Sequence, residues 1–335
     1  MACAQYQQMS LRCGNQWRMA EQRESGGGTL RTILAALGAN LGIALSKFVA
    51  FLFTGSSSML AEAVHSLADT TNQVLLLIGG RRSRQEPSHL HPFGYGRFRY
   101  LYGFLVTMVI FLVGGVFALY EGYHKLRQPE PIESPIWAFA VLLIAIGLES
   151  FSLRTAVRES DPSRQGETWL SFIRRTKIPE LPVVLLEDLG ALTGLGFALV
   201  GITLAVITDN GRWDAVGTLA IGVLLVAISI LLSTRMRSLL IGEAADPEVI
   251  DQIEAALVAE PLIDAVIHLR TMHLGPDQLL VAAKVAVSSD ERMSEIAEAI
   301  DSAEARVRSR VELECLIFIE PDVLDPARMP ADPTP

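Results

Sequence analysis

Thiolate chemistry is the first thing this chain lacks. Its 335 residues hold three cysteines, Cys3, Cys13 and Cys315, with no C-x-x-C spacing, so neither a thiolate zinc site nor a disulfide framework is indicated. A basic face is missing as well. The formal charge is -9, with acidic residues crowding the C-terminal part, which argues against nucleic acid as a partner. No H-E-x-x-H or comparable motif is present, and a membrane-embedded hydrolase would need an activated water beside a general acid or base, so the chain reads as a non-enzyme. The first 28 residues have no apolar core segment. They carry Arg12, Arg18, Arg23 and Gly26, Gly27 and Gly28, and read as a flexible cytoplasmic tail rather than a cleavable signal peptide.

What the chain has in abundance is apolar sequence: half its residues are hydrophobic. Six segments, roughly 30 to 54, 58 to 80, 98 to 123, 134 to 155, 182 to 207 and 213 to 236, are each long enough to cross ~30 Å of hydrocarbon as a helix. Basic residues stay on the cytoplasmic side. Arg81, Arg82, Arg84, Arg97 and Arg99 lie between segments two and three, and Arg154, Arg158, Arg164, Arg174, Arg175 and Lys177 between four and five. Both termini are therefore expected in the cytoplasm of an integral protein of the bacterial inner (cell) membrane. The expected division is a tail to 28, a transmembrane domain over 29–237, a soluble domain over 238–323 and a disordered, proline-rich tail over 324–335.

The soluble part reads as helix, strand, strand, helix, strand, an order compatible with a small α/β ferredoxin-like sandwich lacking its first strand. Asp246 and Pro247 look like an N-cap followed by proline in the first turn. Strands follow over 266–274 and 279–287, with Leu279, Val281, Ala283, Val285 and Val287 on one face and a turn at Gly275, Pro276 and Asp277. Ser288 and Glu291 resemble a capping box for a second helix that turns Met293, Ile296, Ala297 and Ile300 inward. A last strand over 313–319 is closed by Glu320, Pro321 and Asp322.

The unusual stretch is the second segment, whose first half is polar: Ser56, Ser57, Ser58, Glu62, His65, Ser66, Asp69, Thr70, Thr71, Asn72 and Gln73 precede a run of leucines. On a helix His65 and Asp69 share a face, and Asn72 continues it. Ionisable groups at membrane depth cost roughly 2.5 to 3.5 kcal/mol each, so they face a bundle interior or a wet cavity. The fifth segment adds Glu187 and Asp188, followed by small residues at Gly190, Ala191, Gly194 and Ala198 that let another helix approach. If that neighbour is the second segment, His65, Asp69 and either Asp188 or Glu187 converge as one nitrogen and two or more oxygen donors. That mixture suits a borderline dication such as zinc.

These motifs carry a resemblance. The second-segment pattern from Ser56 through Ala61, Glu62, Ala63, His65, Ser66 and Asp69, the loop His91-Pro92-Phe93-Gly94-Tyr95-Gly96-Arg97, and the pair Glu187 and Asp188 resemble the cation diffusion facilitator family over about residues 30 to 322. The continuation to Gln73 and the terminal Ile319 to Asp322 are most similar to the branch containing zinc transporter nine. The resemblance implies a homodimeric divalent-metal/proton antiporter, with six transmembrane helices, embedded in membrane lipid. It implies a transport site built from His65, Asp69 and Asp188. Many relatives carry a histidine where Val184 stands, so the fourth position falls to Glu187, Asn72 or water. In the loop His91 matches a metal-binding pattern while Ser88 and Tyr95 stand where other ligands would be.

Zinc is the favoured cargo, and manganese, iron or cobalt would accept the same donors, with protons as counter-ion. The blander readings are a structural interhelical bond for His65 and Asp69, helix-packing amides for Asn40 and Asn72, a turn contact for His91, and surface or sheet positions for His89, His268 and His273, the last two on opposite sides of a strand. Arg97 and Arg99 act as topology determinants or pair across a dimer. The rival function is a non-transporting membrane metal sensor or scaffold, which would tolerate loss of His65 and Asp69.

Overall fold

In hydrocarbon an unpaired amide or carbonyl finds no water, so apolar runs of this length become helices. The computed structural model describes residues 27–129, 132 and 135–323, so the tail expected over 324–335 and all but the end of the N-terminal one lie outside the described residues. Helix α1 runs Gly27–Thr54, α2 Ser57–Ser83, α3 Phe98–Arg127, α4 Pro135–Arg164, α5 Trp169–Arg175, α6 Glu180–Thr208 and α7 Arg212–Ile241. A π-helical stretch, Ile110–Val116, interrupts α3 around Gly114 and Gly115.

Among the described residues, α3, α4 as far as Arg158, α6 and α7 are long and apolar enough to cross a membrane. Helix α1 contributes a shorter apolar length, Leu41–Thr54. Helix α2 does not qualify, because its polar first half lowers its hydropathy. Six crossings would need α1 and α2 as well.

The chain divides into two compact units. Of the described residues, the first comprises those up to Gln73 and those within Phe117–Gly147 and Thr193–Gly222. There α1 buries Ala44, Lys47, Ala50 and Thr54, spaced three or four apart on one face. The α6 and α7 parts of this unit pack backbone to backbone: a Cβ on Gly217 would lie 2.9 Å from the Phe197 carbonyl oxygen, and one on Gly201 3.0 Å from that of Trp213. Glycine is what permits the approach.

Of the described residues, the second unit comprises Val74–Val116, Leu148–Leu192 and those from Val223 onward. Its helical part packs Tyr100, Met236 and Leu239 together. Its C-terminal part is the small α/β domain: α8 (Pro247–Val258), β1 (Ala265–Gly275), β2 (Gln278–Ala286), α9 (Met293–Arg310) and β3 (Glu314–Asp322). The sheet order is β1-β2-β3, β1 antiparallel and β3 parallel to β2, with Leu279 beside Cys315 and Val281 beside Ile317. Leu279, Val281, Ala283, Val285 and Val287 all turn into a core shared with Ile253, Leu257, Ala303 and Val307.

Three details depart from the pattern read in the sequence. Helix α9 starts after Arg292, whose amide donates to Glu295 Oε2 at 3.3 Å, and no capping box forms at Ser288 and Glu291, whose segment is a turn. The buried face of α9 also differs, with Met293 74% exposed and Ala297 exposed while Ile296, Ala299, Ala303 and Val307 are buried. Strand β3 also continues through Glu320, Pro321 and Asp322, since proline at the sheet edge needs no donor.

Candidate metal centre

In the first unit, the start of α2 is tied down by an acid from α7. Asp214, fully buried, accepts hydrogen bonds from Ser56 Oγ at 2.9 Å, the Ser57 amide at 2.9 Å and Ser57 Oγ at 3.1 Å. Its carbonyl oxygen accepts from Ser58 Oγ at 3.0 Å, and Thr218 Oγ1 lies within 3.1 Å of the Ser57 and Ser58 hydroxyls. Gly55, at φ +62°, makes the turn into α2, and Lys125 donates to its carbonyl. A carboxylate at a helix start satisfies orphan amides and meets the positive end of the dipole. Sequence reasoning took 55–57 as a plain connection and missed Asp214, whose one signal was an acid at the edge of an apolar run.

Further along α2 the polar residues form a buried stripe. Lys47 Nζ of α1 donates to Glu62 Oε2 at 3.1 Å and to Ser66 Oγ at 2.8 Å, and both the lysine and glutamate side chains are fully buried. Glu62 Oε1 faces α6, where a Cβ on Gly194 would lie 2.6 Å from it. Thus Gly194 does receive α2, as its spacing suggested, although Ile221 of α7 crowds the same glycine. One turn on, His65 Nδ1 lies 3.7 Å from Asp69 Oδ1, with the side chains 1% and 16% exposed, and Asn72 is buried below them. Too long for a hydrogen bond, that gap is close to the ~3.3 Å edge of a tetrahedron with ~2.0 Å zinc–ligand bonds. The pair can therefore offer one nitrogen and one oxygen to a single dication. Lys47, Glu62 and Ser66 were not picked as a group from the sequence, although a lysine inside the apolar first segment is a signal.

In the second unit, Glu187 is 7% exposed, whereas Asp188 is half-buried and accepts a hydrogen bond from Ser152 Oγ of α4 at 2.9 Å. Gly190 is filled by Ile228 of α7, since a Cβ there would lie 2.7 Å from its Cδ1. Among the described residues no three His, Cys, Asp or Glu side chains form a group able to hold a metal ion. His91 is exposed; its amide donates to the Ser88 hydroxyl and its ring meets that of Tyr95, whose hydroxyl lies 2.9 Å from Ser88 Oγ. Ser88 and Tyr95 thus bond each other in a turn. On β1, His268 is exposed and His273 buried.

The arginines between the helices also make contacts within the second unit. Arg99 binds Glu180 (2.7 Å) and Asp277 (2.9 Å), and Arg97 donates to Met272 Sδ at 3.2 Å. Glu243, just past α7, pairs with Arg235 and accepts from Lys177 Nζ at 2.7 Å. Burial pushes the Glu243 carboxyl up, but hydrogen bonds from Lys177 and Ser238 and the charges of Arg235 and Lys177 outweigh it, leaving it below its ordinary value. His273, whose amide donates to the Glu243 carbonyl, is pushed down by burial and by the Lys177 charge.

Comparison with known proteins gives this geometry its context. The cation efflux transmembrane domain model matches residues 33–241, the stretch that holds α1 through α7. The mouse protein named proton-coupled zinc antiporter SLC30A9, mitochondrial, is 34% identical over 241 residues, 71% of this chain and 42% of that one. Metal tolerance protein C4 of Arabidopsis thaliana is 28% identical over 76% of this chain and 56% of its own length. The manganese efflux system protein MneP of Bacillus subtilis is 24% identical over 90% of this chain and 99% of that one. This chain therefore spans less than half the length of the mouse relative. Among solved structures, a doubly substituted form of the MamM CTD is 20% identical over 23% of this chain and 93% of that one, with a TM-score of 0.22. With the family's domain extending over all the helices that carry the buried stripe, the chain is an integral membrane protein and belongs to the cation efflux, or cation diffusion facilitator, family.

Proposed function

We propose that this chain moves a divalent cation out of the cytoplasm in exchange for protons, holding it with His65 and Asp69 of α2 and Asp188 of α6. Glu187 or Asn72, or a water, completes the shell. The observation that carries the reading is the buried His65–Asp69 pair, two dissimilar donors 3.7 Å apart on one helix face inside a cation efflux domain. Zinc is the first cargo by donor chemistry: the imidazole favours a borderline ion, and zinc is the ion in the mouse relative's name. Manganese, named for the Bacillus relative, is the second, and iron and cobalt accept the same donors.

In this reading α1 and α2 cross the membrane with the four apolar helices, α2 because its polar face is covered by the bundle. Both termini lie on the arginine-rich side, and two copies assemble as a homodimer. The cell-membrane location expected from the sequence has no support in the mouse relative, whose name is mitochondrial. Carrying a bare dication against a negative-inside potential costs about 4.6 kcal/mol per 100 mV, and each proton returned offsets about half of that. Protons and metal compete for the same donors, because a ligating imidazole must be neutral and a ligating carboxylate ionised. The site opens alternately to each side as the helices rock.

Reconstitution into proton-tight vesicles with a panel of divalent ions tests this. Zinc uptake with opposite proton movement is expected from the native chain, and loss of at least about 90% of it (tenfold, ~1.4 kcal/mol) in His65→Ala and Asp188→Ala. Metal flux without proton movement, or native flux in both variants, overturns it.

A further inference from the structure

The Lys47–Glu62 pair has no part in the site described so far, yet it lies one helical turn before His65. We infer that Glu62 is a further oxygen ligand for the cargo, held in reserve by Lys47, so that the lysine ammonium and the metal ion compete for one carboxylate. The inference rests on the reading of His65 and Asp69 as cargo ligands.

Three observations carry it. Glu62 Oε1 is fully buried and, among the described residues, has no hydrogen-bond partner, while Oε2 is occupied by Lys47 at 3.1 Å. An ionised carboxylate buried in a bundle is stable only when its lone pairs are used, so half of this one is available to a cation. Second, Glu62 and His65 are three apart on α2, the Glu-x-x-His spacing by which one helix can present a carboxylate and an imidazole to the same metal centre inside a bundle. Asp69 follows four residues on, making a ladder of Glu62, His65 and Asp69 on adjoining turns. Third, Gly194 supplies the space: with no Cβ on α6 at this point, the Glu62 carboxylate has room that any other residue would fill.

The arrangement gives the site a cation of its own. Without metal, Lys47 neutralises Glu62 and donates to Ser66. A dication reaching His65 and Asp69 draws Glu62 away, leaving Lys47 on Ser66. The displaced ammonium, held nearby, then raises the energy of the loaded site and favours release. Lys47 is thus a positioning residue, and Glu62 a ligand.

The test is zinc affinity of the full-length purified protein in detergent, measured against a chromophoric chelator at fixed pH, with zinc K-edge absorption to count oxygen neighbours. Glu62→Gln is expected to weaken binding about tenfold and remove one oxygen neighbour. Lys47→Met is expected to tighten binding about tenfold, and to do so only while Glu62 is present, so that Lys47→Met/Glu62→Gln binds like Glu62→Gln alone. Native affinity and an unchanged shell in Glu62→Gln overturn the inference, as does equal tightening by Lys47→Met in both backgrounds. Should Lys47→Met fail to fold, Glu62→Gln and its absorption spectrum decide alone. His65→Ala separates the two readings: native zinc affinity there sinks the parent site, whereas lost affinity with an indifferent Glu62→Gln sinks this inference only.

Discussion

Asp214 and Ser57 are joined twice, the carboxylate taking one hydrogen bond from the serine amide at 2.9 Å and another from its hydroxyl at 3.1 Å. Through them α7 fixes where α2 begins, and hence the phase of every residue on its polar face. Hydrogen bonds to a charged acceptor contribute roughly 1.5 to 3 kcal/mol each, and donors stranded in a dry interior cost about as much again. Asp214→Ala is therefore expected to destabilise the protein by at least ~3 kcal/mol, and Thr218→Val, which removes neutral hydroxyl contacts, by about 1 kcal/mol. Thermal melting in detergent ranks the two. A Thr218→Val loss equal to or larger than that of Asp214→Ala would refute the anchoring role.

Glu243 gives a stability term with a definite sign in pH. Its carboxyl lies below its ordinary value because Lys177, Ser238 and Arg235 together overcome the effect of burial. A group depressed in the fold binds fewer protons there than in the unfolded chain, so its contribution is complete above the ordinary value of 4.5 and is lost as the pH falls through the depressed one. Glu243→Gln is expected to be less stable than the native protein at neutral pH by about 1.5 to 3 kcal/mol, the worth of a hydrogen bond to a charged acceptor. The gap should close in acid, below the ordinary carboxylate range. A gap that widens on acidification would show that the network is not what holds Glu243 ionised.

How much of this could be read in the sequence depended on whether the signal was periodic. The alternating Leu279, Val281, Ala283, Val285 and Val287 announced a buried strand face because a two-residue period admits one reading. His65 and Asp69 were legible as a pair because four residues is one helical turn. The Asp214 anchor and the Lys47–Glu62 pair were not, since their partners are 157 and 15 residues apart and no local rule links them. The start of α9 was misread for a different reason. Ser288 and Glu291 keep the capping-box spacing, but the helix starts four residues later, where the Arg292 amide meets the Glu295 carboxylate and Ile296 and Ala299 are buried. The acids at 187 and 188 remained ambiguous because adjacent residues point about 100° apart on a helix, and it is Glu187 that is the more buried.

The glycines of α6 and α7 offer a graded test of packing in the first unit. At Gly217 an added methyl would sit 2.9 Å from the Phe197 carbonyl oxygen, a backbone atom that can yield only if a helix moves. At Gly194 the obstacle is the end of the Glu62 side chain at 2.6 Å, which can swing aside, but only by disturbing its contact with Lys47. At Gly196 a Cβ meets nothing within 4 Å. Gly217→Ala is therefore expected to cost about 1 to 3 kcal/mol through overpacking, whereas Gly196→Ala should be neutral or stabilising by up to ~1 kcal/mol, alanine being the better helix former. Gly194→Ala should lie between them in melting temperature yet exceed Gly217→Ala in its effect on zinc affinity, because the atom it displaces belongs to the polar stripe. Equal effects of Gly194→Ala and Gly196→Ala on both measurements would mean that Glu62 does not sit against α6.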